Sequence, residues 1–209
     1  MMTSERLFPA TVMPDGDWWR ALWPDPDGVI RSLQIAPRMT VVDLGCGDGH
    51  FTAAIARQVG DGRVIGVDLD PKMLTQARVA CDGTANCSWV LGDAMELSRV
   101  LGAPADYVLI ANTFHGVPDK TALAREIAAV LPPGGRLAII NWHPRSRDET
   151  PVLGQPRGPR TELRMAPEET RAVVEAAGFE MVSLIELPPY HYGAIFEKRS
   201  QRAMKPMKP

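Results

Sequence analysis

One stretch constrains this chain more than any other: Met39-Thr-Val-Val-Asp-Leu-Gly-Cys-Gly-Asp-Gly-His-Phe51. Met39 to Leu44 is short, apolar and β-branched, the composition of a strand buried on both faces in a parallel sheet. Gly45-Cys46-Gly47-Asp48-Gly49 then sets three glycines in five positions. Glycine opens φ > 0 and lets a ligand approach the backbone. From His50 the pattern turns helical, through Phe51, Ala54, Ile55 and Ala56 to a stop at Gly60. Strand, tight glycine turn and helix make a nucleotide or nucleoside grip at the carboxyl end of a sheet.

The flanking residues narrow the ligand. A dinucleotide turn reads G-x-G-x-x-G/A, and its third small position falls on His50. No Walker lysine follows, which argues against a nucleoside triphosphate. Asp43 and Asp48 flank the turn instead; they repel a pyrophosphate and suit a cation. A second apolar strand, Arg63 to Val67, ends in Asp68, where a doubly wound sheet holds the acid for a ribose hydroxyl pair. Glycine turn, ribose acid and local negative charge point together to S-adenosylmethionine (SAM), whose reactive group is a sulfonium. A nicotinamide-dependent reductase is disfavoured by the missing glycine and by the lack of a Tyr-x-x-x-Lys pair.

VVDLGCGDGHF, VIGVDLDPKML, LGDAMEL and LPPGGRLAIINW follow one another at ordinary βα spacing. In that order they resemble the motifs of class I SAM-dependent methyltransferases. The closer resemblance is to small enzymes similar to the ubiquinone and menaquinone-biosynthesis C-methyltransferases, and it runs from about Arg38 to Lys198. It implies an α/β fold: a Rossmann-like doubly wound sheet of seven strands, order 3-2-1-4-5-7-6, the last antiparallel, with helices on both faces. It implies methyl transfer from SAM to a small-molecule acceptor by direct displacement, leaving S-adenosylhomocysteine, with no metal. The cofactor contacts it implies are Asp43, Gly45, Cys46, Gly47, Asp48 and Gly49 at the turn, then Asp68, Leu69 and Met73 after the second strand. Asp93 and Ala94 follow the third strand, and Asn112 the fourth. Asp93 would accept from the adenine amino group; as a generic residue it reads as the N-cap of Ala94 to Val100.

Length and composition set the remaining bounds. The 209 residues suit one domain, 38–198, behind an N-terminal extension, 1–37, with a disordered tail over 199–209. A net charge of −2 gives no reason to expect nucleic acid or an acidic membrane. No run approaches a membrane span, and Glu5 and Arg6 stand where a leader needs apolar residues. Cys46, Cys81 and Cys87 lack CxxC spacing, so a reducing cytoplasm is expected. The oligomeric state is open.

The acceptor side is less defined. Asp17 reads as the N-cap of a short helix carrying Trp18, Trp19 and Trp23, which either plug the sheet or roof the site. As a cover, this segment should matter more to turnover than to the fold. Asn112-Thr-Phe-His-Gly116 closes the fourth strand, and His115 is the candidate base for an acceptor that keeps its proton at neutral pH. Phe114, Trp142, His143 and His191 are further candidates for acceptor contact; His50 reads as a helix cap. Residues 143–167 are rich in Pro, Gly and Arg without periodicity, either a solvated loop or a lid near the acceptor. No interleaved aromatic marks them as an RNA surface. Alternatives are a SAM-binding sensor or partner subunit without turnover, and, within the enzymes, thiol-held metalloid methylation.

Overall fold

The computed structural model describes Phe8, Thr11 and residues 13–200. Most of the expected tail, and most of the first dozen residues, lie outside them. Among the described residues seven strands build the main sheet: β1 (Thr40–Leu44), β2 (Arg63–Asp68), β3 (Cys87–Leu91), β4 (Tyr107–Ala111), β5 (Arg136–Trp142), β6 (Phe179–Leu187) and β7 (His191–Lys198). They hydrogen-bond in the order β3-β2-β1-β4-β5-β7-β6. β1 to β5 run parallel, and β7 is antiparallel to both β5 and β6. The expected Rossmann-like order is the observed one.

Period-two alternation divides the sheet into two faces. Val41, Tyr107, Leu109, Ala138, Ile140 and Trp142 face one core, together with α1 (Gly16–Leu22), α2 (Pro26–Ser32) and α3 (His50–Val59). Val42, Leu44, Val108, Ile110, Leu137 and Ile139 face the other, beneath α5 (Leu97–Val100), α6 (Lys120–Val130) and α7 (Pro167–Glu175). Helix α4 (Pro71–Ala80) bridges β2 and β3. β1 lies between β2 and β4. The chain winds in opposite directions from there, so the carboxyl ends of β1 and β4 part into a crevice.

The N-terminal helices belong to the core. Trp18, Trp19, Leu22, Trp23, Ile30 and Leu33 are all buried in the first cluster. The Tyr107 hydroxyl donates to the Leu33 carbonyl at 2.7 Å, tying the segment to the sheet. Asp17 lies within the first turn of α1 and accepts from its neighbour Trp18 N–H, so the N-cap position falls to Asp15. Helix α2 starts at Pro26, where the Asp25 carboxylate accepts from Gly28 N–H at 2.8 Å.

Residues 143–167, which show no periodicity, nonetheless hold defined structure. One-turn 3₁₀ helices at Arg147–Glu149 and Thr161–Leu163 flank a two-residue antiparallel ladder, Pro151–Val152 against Gln155–Pro156. The cause is Arg164, 5% exposed. Its guanidinium donates to the carbonyls of Pro159, Arg145 and Arg157 and to the Thr150 hydroxyl, at 2.9–3.2 Å. It also lies 4.8 Å from the Trp142 ring centroid. Arg164 is thus the buried hub of a stretch that composition alone reads as either a solvated loop or a lid.

Candidate functional site

A cavity of about 440 Å³ opens at the carboxyl ends of β1, β2, β3 and β4. Its first wall is the glycine turn. Gly47 has φ +55°, a backbone that favours glycine, and a Cβ there would press on the Met13 sulfur at 2.8 Å. Gly47 N–H donates to one Asp68 carboxylate oxygen at 2.9 Å, and Asp70 N–H to the other at 2.9 Å. Each oxygen retains a lone pair for a ligand. Burial pushes the Asp68 carboxyl above its ordinary value, while these two N–H groups oppose the shift.

Asp43 lies deeper, 2% exposed, on the face of β1 that meets α3. The Thr52 hydroxyl donates to it at 2.6 Å. Burial raises its pKa to about 7, against the stabilising Thr52 bond and with added repulsion from Asp68 and Asp48. A carboxylate so placed is divided between its charged and neutral forms near neutral pH, and a cation beside it favours the charged form. Asp93 caps a 3₁₀ turn, accepting from Met95 N–H at 2.9 Å, and lines the cavity beside Ala94. Leu69 and Met73 line it after β2. Asn112 stands in the left-handed region at φ +56°. Both polar atoms of its side chain are buried and lack a hydrogen-bond partner among the described residues. Asparagine tolerates that backbone, and strain of this kind collects at ligand sites.

The rest of the lining is largely aromatic and basic. Trp18, Trp19, His115 and Trp142 line it together with Arg147, Arg157, Gly158 and Pro159. His115 lies in a 3₁₀ turn, Phe114–Gly116, directly after β4, and is 3% exposed. His50 also reaches the cavity, packed edge-on against Trp19 and Phe51, and burial lowers its pKa. It is a neutral wall residue as well as the first residue of α3.

Four expected contacts lie elsewhere. A Cβ on Gly49 would meet the Ala77 backbone at 2.9 Å; this glycine lets α3 and α4 approach and does not line the cavity. Phe114 is wholly buried in the core on the far face of the sheet. His143 turns to Glu186, with Nε2 3.0 Å from its carboxylate, and packs on Tyr192. His191 is buried between Trp23 and Trp142, ring centroids 4.5 and 4.1 Å away. Burial, with Arg164 nearby, holds it neutral. The causes differ: His143 is one residue past Trp142 and turns to the other face of the sheet, whereas His191 pairs with Trp142 across β5 and β7 and is closed off from the cavity by the indoles on its own face. Cys81 and Cys87 also lie outside the cavity, leaving Cys46 as the one cysteine on its wall.

Sequence reasoning missed Arg147, Arg157, Gly158 and Pro159 as wall residues. Their signal was present only as an unusually long Arg- and Gly-containing loop after β5. Among the described residues no helix is long and apolar enough to cross a membrane, and no group of His, Cys, Asp and Glu is arranged to hold a metal ion.

Comparison with known proteins places this geometry in context. Residues 41–135 match a family model described as a methyltransferase domain. The chain is 36% identical over 118 residues to the 2-phytyl-1,4-naphtoquinone methyltransferase of Thermosynechococcus vestitus, covering 54% of this chain and 51% of that protein. It is 37% identical over 110 residues to the trans-aconitate 2-methyltransferase of Azoarcus sp., covering 53% and 41%. The chain thus spans about half the length of the curated relatives it matches. A crystal structure of a SAM-dependent methyltransferase from Aquifex aeolicus superposes with a TM-score of 0.72 at 26% identity, over 85% of this chain and 91% of that one.

Proposed function

We propose that this chain, which belongs to the class I SAM-dependent methyltransferases, carries the methyl group of SAM to a small-molecule acceptor by direct in-line displacement. One observation carries the reading: a single cavity joins an acidic wall, with Asp43, Asp48, Asp68 and Asp93, to an aromatic wall with His115. The acidic wall suits a nucleoside bearing a sulfonium and an ammonium group. Asp68 would take the ribose hydroxyls, Asp93 the adenine amino group, and Asp43 would sense the ligand's positive charge. The glycine turn leaves the backbone open to the amino-acid end.

Displacement at a sulfonium needs no covalent intermediate. Holding nucleophile, methyl and sulfur in line can supply roughly 7–11 kcal/mol of the barrier. The aromatic wall would orient the acceptor and exclude water, which keeps the cation's charge unscreened. His115, at the end of β4 where β1 and β4 part, would accept the acceptor's proton or a hydrogen bond from it.

The relatives named above act on a naphthoquinone and on trans-aconitate, so relationship by itself leaves the acceptor open. The test is a screen of phenols, quinols, carboxylic acids and thiols for S-adenosylhomocysteine release, beside calorimetry with SAM and NADH. SAM binding with turnover of at least one acceptor is expected. NADH binding without SAM binding would overturn the assignment, and SAM binding with no turnover of any acceptor would favour the sensor.

A further inference from the structure

The cavity carries charges of both signs, and its cationic groups have no counterpart in the chemistry of SAM's sulfonium. Asp43, Asp48, Asp68, Asp70 and Asp93 line it. The guanidinium groups lining the cavity, Arg147 and Arg157, both come from the insertion after β5. Neither forms an ion pair with a carboxylate among the described residues. Arg157 lies over the Trp18 ring, 5.4 Å from its centroid, and its Nε–H is buried without a hydrogen-bond partner among the described residues.

These cations are held in place. The Arg157 carbonyl accepts from Arg164 at 3.0 Å, and Arg157 N–H donates to the Thr150 carbonyl at 3.2 Å. Arg147 N–H donates to the Thr161 hydroxyl at 3.1 Å. Burial, and after it the nearby charge of Arg147, lowers the Arg164 pKa, so a further cation in the insertion stands close to these two. An unpaired, partly buried guanidinium N–H is costly. A planar anion in the cavity removes that cost, because a guanidinium fork matches a carboxylate with two parallel hydrogen bonds. Trp18, Trp19 and Trp142 give the rest of such a molecule flat apolar walls.

We propose that the acceptor is a planar, largely apolar carboxylic acid whose carboxylate is anchored by Arg157, with Arg147 adding charge, while its reacting atom faces His115. This rests on the methyltransferase reading and names the acceptor class for it. The carboxylate here is the handle, and the acidic lining rejects the same molecule in the reverse orientation.

The experiment uses the full chain loaded with S-adenosylhomocysteine, whose own binding is measured first. Benzoate, trans-cinnamate and 2-naphthoate are then titrated calorimetrically against their carboxamides. At least one acid should bind ten-fold or more tighter than its amide, with a gap that narrows at high salt. In Arg157→Gln the gap should close, in Arg157→Lys it should return in part, and in Arg147→Gln it should shrink. Thermal midpoints should stay close to wild type, since neither guanidinium is paired. Equal binding of acid and amide for all three rings, or an acid preference surviving in the Arg147→Gln, Arg157→Gln double variant, overturns the proposal. So does a loss in Arg157→Gln confined to S-adenosylhomocysteine, which would assign the arginine to the cofactor's carboxylate. Wild-type protein that does not bind S-adenosylhomocysteine refutes the methyltransferase reading instead.

Discussion

Asp43 illustrates how one buried carboxylate links ligand charge to pH. Its folded pKa of about 7 exceeds the ordinary 3.8. Between those values the folded chain holds a proton that the unfolded chain has lost. Its contribution to stability therefore falls as pH rises from about 4 to 7 and is constant above. A cationic ligand favours the carboxylate, so SAM binding should release a proton near neutral pH and tighten as pH rises from 6 to 8. Calorimetry in two buffers of different ionisation enthalpy measures that proton, and Asp43→Asn should abolish it. Asp68→Asn should weaken SAM by about 1–3 kcal/mol, the cost of a charged acceptor lost to buried hydroxyls, with an unchanged far-UV spectrum. Undiminished affinity would place the ribose elsewhere. His115→Ala should lower kcat by roughly 100-fold if it acts as a base and leave SAM affinity nearly unchanged. Single-turnover rates across pH distinguish this from a role in packing, because only a base removes the limb of the profile set by its own titration.

At the scale of elements, the insertion after β5 shows how a segment without periodicity acquires structure. A strand or helix announces itself by repetition, whereas this loop is held by one side chain. Arg164→Met should leave the Arg145, Pro159 and Arg157 carbonyls without their donor and cost about 2–4 kcal/mol. Hydrogen exchange should rise across residues 145–164 and stay low in β1, β4 and β5. If protection in the insertion survives, its order comes from the short ladder instead. The tryptophan helix α1 follows a different logic. Trp23 packs on Phe51 and His191, ring centroids 5.3 and 4.5 Å away, while Trp18 and Trp19 reach the cavity. The segment is thus a plug for one sheet face and a wall of the site at once, because a tryptophan is large enough for its two edges to serve different neighbours.

For the whole molecule, that double role bears on an expectation drawn from sequence. As a cover, residues 1–28 should matter more to turnover than to the fold. Yet Trp18, Trp19, Leu22 and Trp23 are buried on the sheet, and removing even one such tryptophan typically costs 3–5 kcal/mol. Several together exceed the roughly 5–15 kcal/mol by which a domain is stable. A chain starting at residue 29 should fail to show a cooperative thermal transition, and one that melts like the full chain would return the segment to a peripheral role.

What sequence alone determined here is what repeats or what glycine demands. Apolar runs, helix period and the glycine turn carry the strand–turn–helix unit with Asp43, Asp48 and Asp68, while the seven-stranded order and the place of Asp93 came from the resemblance that four motifs in order imply. The unit is legible because each part of it is a local backbone requirement written in consecutive residues. Tertiary structure decided the rest. Phe114 went to the far core and His115 to the cavity, though they are neighbours in the chain, because the 3₁₀ turn that holds them points successive side chains in different directions. His191 was enclosed between two indoles, and His143 turned to Glu186. Arg157 was set over Trp18 by Arg164, seven positions further on. Such partnerships join residues far apart in sequence or off any period, and packing alone selects them.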